Sequence, residues 1–153
     1  MPVGTHHVSI TVADLERSIR WYEGALGLEL LTRQHNDNAY TRELTGMKDA
    51  VLEIAFLALP GEGGVKLELI KYVKPHAEDM ELPTHVPGVA HIAFIVSDID
   101  ATLSRLGSMG TSPVSPPVEI DRGANRGVRA CYLRDPDGFT LELMQPPVVR
   151  SRD

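Results

Sequence analysis

The chain has 153 residues, enough for one domain with a sizeable core and no need of cross-links. Its formal net charge is -6 and it carries no basic block, which argues against nucleic acid or an anionic membrane surface as a partner. The single cysteine, Cys131, excludes an internal disulfide and fits a reducing compartment.

Met1 to Thr5 lacks the basic and apolar regions of a secretory signal. The longest apolar stretch, Val51 to Leu59, contains Glu53 and is too short to span a bilayer. The expectation is a soluble cytoplasmic protein with no membrane partner.

In chain order, His7 to Val12 alternates as a strand, with Val8, Ile10 and Val12 on one face and His7, Ser9 and Thr11 on the other. Asp14 is an N-cap, and Leu15, Ile19, Tyr22 and Leu26 then recur on one helical face. Gly27 ends that helix. Leu28 to Thr32 reads as a strand, His35 to Asp49 as a polar connection, and Val51 to Leu59 as another strand. The turn Gly61-Glu62-Gly63-Gly64 leads into a last strand, Val65 to Ile70.

The second half repeats this order. His91-Ile92-Ala93-Phe94-Ile95-Val96-Ser97-Asp98 echoes His7-Val8-Ser9-Ile10-Thr11-Val12-Ala13-Asp14 at an offset of 84 positions. Val89 to Val96 is a strand and Asp98 a second N-cap; Ile99, Leu103 and Leu106 match Leu15, Ile19 and Tyr22 at the same offset. Val114 to Glu119, Val128 to Leu133 and Phe139 to Met144 supply three strands, with Asp135-Pro136-Asp137-Gly138 as the final turn. Pro75, Pro83 and Pro87 punctuate the stretch between the halves. The fold class expected is α+β: a tandem pair of βαβββ modules over residues 4–72 and 88–147, joined by a linker at 73–87.

Each copy ends on a glutamate set among leucines, in Lys66-Leu67-Glu68-Leu69-Ile70 and Thr140-Leu141-Glu142-Leu143-Met144. Alternation points each glutamate away from its flanking leucines. If the leucines face the helices, Glu68 and Glu142 share the opposite face with His7 and His91. A carboxylate there is costly to desolvate unless paired or bound to a cation. A lone strand histidine or glutamate has ordinary structural explanations, but four in register across a duplication mark a metal site. His7, Glu68, His91 and Glu142 form an N2O2 set suited to one divalent ion per chain, Ni, Co, Zn, Mn or Fe, with positions left open for water or substrate. His6 falls on the opposite face by alternation, and its counterpart is Ala90.

Four segments carry a resemblance: HHVSITVADLERSIRWYEGALGLEL, KLELIKY, GVAHIAFIVSDIDATLSRL and YLRDPDGFTLELMQPP. The chain resembles the vicinal oxygen chelate superfamily, which includes glyoxalase I, methylmalonyl-CoA epimerase, extradiol dioxygenases, fosfomycin-resistance enzymes and bleomycin-binding proteins. The resemblance implies a U-shaped mixed sheet around the metal, with His7, Glu68, His91 and Glu142 as ligands. That ligand set is similar to bacterial glyoxalase I, whereas methylmalonyl-CoA epimerase commonly has Gln where Glu68 stands. It implies a metal-dependent lyase or isomerase acting on a small carbonyl or thioester substrate through an enediolate or enolate. Glu142, with Glu68 as the other candidate, is the implied proton shuttle.

Alternatives are an Fe(II)-dependent extradiol-type dioxygenase, should only three of the four residues bind, and a non-enzymatic small-molecule binding or resistance protein. On the substrate side, two loops stand out, His35 to Arg42 and Asp121 to Gly127. In the second, Arg122, Asn125 and Arg126 suit a carboxylate or phosphate. Tyr132 and Met144 are candidates for the inner wall. Edge strands that need covering, together with the resemblance, lead to a homodimer. Trp21, outside the helical stripe, is expected to be exposed in a monomer.

Overall fold

A computed structural model describes residues 1–61, 64–78 and 80–147. The chain forms two compact units, Met1–Met80 and Glu81–Asp153. Glu62 and Gly63, the middle of the expected glycine-rich turn, lie outside the described residues.

The first unit runs β1 (His7–Thr11), α1 (Leu15–Leu26), β2 (Glu29–Asn36), α2 (Ala39–Thr45), β3 (Val51–Ala58) and β4 (Lys66–Lys74). Its four strands are ordered β1-β4-β3-β2, with β1 parallel to β4 and the other neighbours antiparallel. The second unit runs β5 (His91–Ile95), α3 (Ile99–Ser108), β6 (Val118–Glu119), β7 (Arg129–Arg134) and β8 (Thr140–Gln145). Its order, β5-β8-β7-β6, is the same, again with the first and last strands parallel. The expected α+β architecture of two tandem βαβββ modules is what the chain adopts, with α2 as an addition to the first.

Local chemistry explains the helices. The Asp14 carboxylate accepts the backbone N–H of Arg17, and Asp98 accepts that of Ala101 in the equivalent place. Gly27 closes α1 in the left-handed region, at φ 70°, where a side chain would be strained. The buried face of α1 holds Leu15, Ser18, Ile19, Trp21, Tyr22 and Ala25. That face is wider than the expected stripe, so Trp21 is not exposed: it is buried, at 7 % exposure, with its ring edge-on to Tyr22. The argument for a dimer from an exposed Trp21 therefore falls. Leu26 and Leu103, by contrast, are only half-buried.

Three further expectations needed correction. His35 and Asn36 finish β2, and Ala39–Thr45 is a helix, so His35 to Arg42 is not a long open loop. Asn38 caps α2 by accepting from Thr41 N and Thr41 Oγ1, a pattern that propensity alone undervalues in so polar a stretch. The strand expected over Val114 to Glu119 shrinks to Val118–Glu119 plus an isolated bridge from Pro113 to Leu133. Pro116 and Pro117 lack the N–H a ladder needs. Finally, β4 continues to Lys74, beyond Ile70 and into the stretch read as linker.

The first helix of each unit, α1 or α3, is pinned to one face of its sheet by an arginine–carboxylate pair. Arg33 on β2 binds Glu16 on α1, and Arg129 on β7 binds Asp100 on α3 through contacts of 2.7 and 3.0 Å. Arg33 is opposite Ala55, which is opposite Leu69; Arg129 shares its face with Cys131 and Leu143. α1 and α3 therefore lie on the leucine faces, as the sequence pattern anticipated. Among the described residues, no helix is long and apolar enough to cross a membrane.

The Asp100–Arg129 pair has a pH signature. The hydrogen bonds from Arg129 hold the Asp100 carboxyl below its ordinary value of 3.8. A carboxylate with a lowered native pKa stabilises the fold at higher pH, and that contribution is lost as pH falls through the native value. Asp100→Asn should therefore lower the urea midpoint at neutral pH, and the difference from wild type should shrink progressively below pH 3.8.

Candidate metal centre

With the helices on the leucine faces, the opposite faces are left to the histidines and glutamates. In the first unit, Glu68 is flanked across the ladder by Ser9 of β1 and Phe56 of β3. His7 lies two residues before Ser9 on the same face, and its Nε2 stands 3.2 Å from Glu68 Oε2. In the second unit, Glu142 is flanked by Ala93 of β5 and Tyr132 of β7. His91 lies two residues before Ala93, with Nε2 3.3 Å from Glu142 Oε2. Duplication in the sequence has become duplication in space.

The carboxylates are the deeper members. Glu68 and Glu142 side chains are 10 % and 17 % exposed, against 37 % and 42 % for their histidines. Each imidazole carries an aromatic neighbour: Phe56 is edge-on to His7 at 5.7 Å, and Tyr132 is tilted against His91 at 5.3 Å. Phe56 is a site residue that sequence pattern alone passes over. Its signal is its place one strand from the Glu68 run, matching the place of Tyr132 beside Glu142. Alternation turns His6 away from the site, but His6 precedes the first residue of β1, so the rule does not bind it. Its Nδ1 lies 2.8 Å from His7 Nδ1.

The donor chemistry fits a divalent cation. Two ligands held at about 2.1 Å and at right angles to each other stand roughly 3 Å apart, and both His–Glu pairs have that spacing. Each pair has one imidazole nitrogen and one carboxylate oxygen, a borderline-to-hard set. The structure brings His7 to Glu68 and His91 to Glu142. Among the described residues, no three His, Cys, Asp or Glu side chains gather as one metal-holding group. Each unit holds one such His–Glu pair.

Of the substrate candidates, Tyr132 stands at its pair. Arg122, Asn125 and Arg126 stand on the exposed loop between β6 and β7. That loop is shaped by backbone bonds, Arg126 N to Gly123 O and Gly127 N to Ile120 O. The Arg122 fork is engaged by neighbouring Asp121, at 2.8 and 2.9 Å. Met144 extends the face of Glu142 and is half-buried.

Two sheets of identical strand order, each with a His–Glu pair on the face away from its first helix, define a duplicated α+β scaffold. Known proteins share it. The sequence matches the Glyoxalase/Bleomycin resistance protein/Dioxygenase superfamily over residues 4–143, and the chain belongs to that superfamily. It is 34 % identical to a 2-epi-5-epi-valiolone epimerase from an Actinomyces species, over 95 % of this chain and 80 % of that one. It is 26 % identical to lactoylglutathione lyase from Haemophilus influenzae, over 95 % of this chain and 94 % of that one. Among solved structures, a glyoxalase family protein from Bacillus cereus superimposes with a TM-score of 0.82 at 28 % identity, covering 96 % of each chain.

Cys131 is opposite Leu143, on the helix-facing side of the second sheet. Burial pushes its thiol pKa up, and the negative charge of Glu142 adds to the effect. A buried thiol with little thiolate is a poor nucleophile. Native protein should therefore react slowly with a disulfide reagent such as DTNB at neutral pH, and rapidly once unfolded in guanidinium.

Proposed function

We propose that the protein is a divalent-metal-dependent isomerase or lyase, of epimerase or glyoxalase type, acting on a small carbonyl or thioester compound. In this reading His7, Glu68, His91 and Glu142 hold one cation per chain. The observation that carries it is the pair of His–Glu contacts at 3.2 and 3.3 Å on equivalent strands of a duplicated fold. The names of two relatives, an epimerase and a lactoylglutathione lyase, support the same class of chemistry.

The bound cation would supply Lewis-acid stabilisation of negative charge developing on a carbonyl oxygen. The chain's own groups do the rest. Glu142 takes a proton from the carbon next to the carbonyl on a carboxylate oxygen and returns it, to the same carbon or to its neighbour. The residues flanking it suit proton transfer. Tyr132 on one side provides a wall and a hydroxyl, and Ala93 on the other leaves room for a substrate. Glu68, more deeply buried and backed by Phe56, is the better-shielded ligand. Arg122, Asn125 and Arg126 are assigned to the anionic part of the substrate.

Purified protein should contain close to one divalent metal per chain by plasma emission spectroscopy. Glu142→Gln should lose about 10²- to 10⁴-fold in turnover, measured on a panel of 2-oxoaldehyde hemithioacetals, acyl-CoA thioesters and hydroxyketones. A wild-type chain that neither contains metal nor takes it up on reconstitution would overturn the reading.

We further propose a homodimer. Ile95 and Val118, on the glutamate face of the second sheet, are 76 % and 60 % exposed, an apolar surface that an identical partner would cover. Sedimentation at micromolar concentration should give about twice the chain mass of 16.8 kDa; a monomer across that range would refute it.

A further inference from the structure

An imidazole binds a cation through the lone pair of one ring nitrogen, so the other nitrogen must carry the hydrogen and find an acceptor for it. In His7, Nε2 is the nitrogen aimed at Glu68, which leaves Nδ1 as the nitrogen in need of an acceptor. His7 Nδ1 lies 2.8 Å from His6 Nδ1. Two bare lone pairs do not face each other at that distance, so one hydrogen lies between them. We propose that His6 is a positioning residue for the metal site: its Nδ1 accepts the His7 Nδ1 hydrogen, fixing the tautomer that presents Nε2 to a cation.

The inference rests on the proposed metal role of His7, but on separate observations. His6 is held where it is needed. Its backbone carbonyl accepts from Lys66 N at 3.5 Å, tying it to the strand that carries Glu68. Its ring is edge-on to that of His7 at 5.1 Å and to Phe56 at 6.3 Å, while Phe56 is also edge-on to His7. Three rings thus brace one another around one donor nitrogen. The second unit is built differently: Ala90 occupies the equivalent position and has no side-chain acceptor to offer. The two histidine ligands are therefore orientated by different means, and only His7 depends on a second imidazole.

The test uses the full chain at about pH 8, where free imidazoles are mostly neutral. In Zn(II)-loaded protein labelled with nitrogen-15, the hydrogen should sit on His7 Nδ1, and a nitrogen–nitrogen coupling across the bond should connect it with His6 Nδ1. Competition against a chromophoric chelator should show Co(II) binding weakened about tenfold in His6→Ala. His6→Asn, whose amide oxygen falls near the place of Nδ1, should recover most of the affinity. Both variants should keep the wild-type urea midpoint. Absence of the coupling, or unchanged Co(II) affinity in His6→Ala, overturns the proposal and leaves the metal reading standing. A wild-type chain that takes up neither Zn(II) nor Co(II) overturns both, so the two failures are told apart.

Discussion

In each unit the first strand lies parallel to the last, and the rest of the site follows from that pairing. Ser9 opposite Glu68, and Ala93 opposite Glu142, put a small residue beside each carboxylate, with the histidine two residues earlier on the same face. A slip of one residue in either register would turn the glutamate toward the helix and the leucines toward water. The cost of exposing Leu67, Leu69, Leu141 and Leu143, all buried, defends the register far more strongly than any contact within the site. Core packing, in other words, enforces the separation of 3.2 or 3.3 Å between donors.

Much of this was legible in the sequence because a duplication supplies its own control. A histidine opening a strand says little alone; the same residue at the same phase of a second copy removes most ordinary explanations. Element order, both N-caps and the two His–Glu pairs all follow from pattern. The failures have local causes. The polar stretch after β2 hid a helix because Asn38, Thr41 and Gly46 act through capping rather than through an apolar stripe. Trp21 was misplaced because one helix buried a face wider than the i, i+3, i+4 pattern describes. His6 was set aside by an alternation rule that applies only inside a strand. Phe56 carries no chemistry of its own and becomes notable only through register.

The two copies are alike in framework and different in furnishing. Each sheet is clamped to its helix by an arginine and an acid of the first helical turn, Arg33 with Glu16 and Arg129 with Asp100. The ring beside the glutamate is Phe56 in one and Tyr132 in the other, so only the second ring carries a hydroxyl. The first carries α2 where the second has the Arg122 to Arg126 loop. A scaffold of this kind keeps its His–Glu pairs equivalent while their surroundings diverge.

Strand order also bears on how the chain is made. In both sheets the strand that carries the glutamate is last in sequence but sits between two earlier ones, β4 between β1 and β3, and β8 between β5 and β7. A growing chain therefore holds a gap in each sheet, with two unpaired strand edges, until that final strand leaves the ribosome. The first unit closes its gap while the second is still being synthesised; the second waits for Thr140–Gln145. Chains terminated before Thr140 lack the strand that both β5 and β7 require, and they expose open edges rather than a partial site.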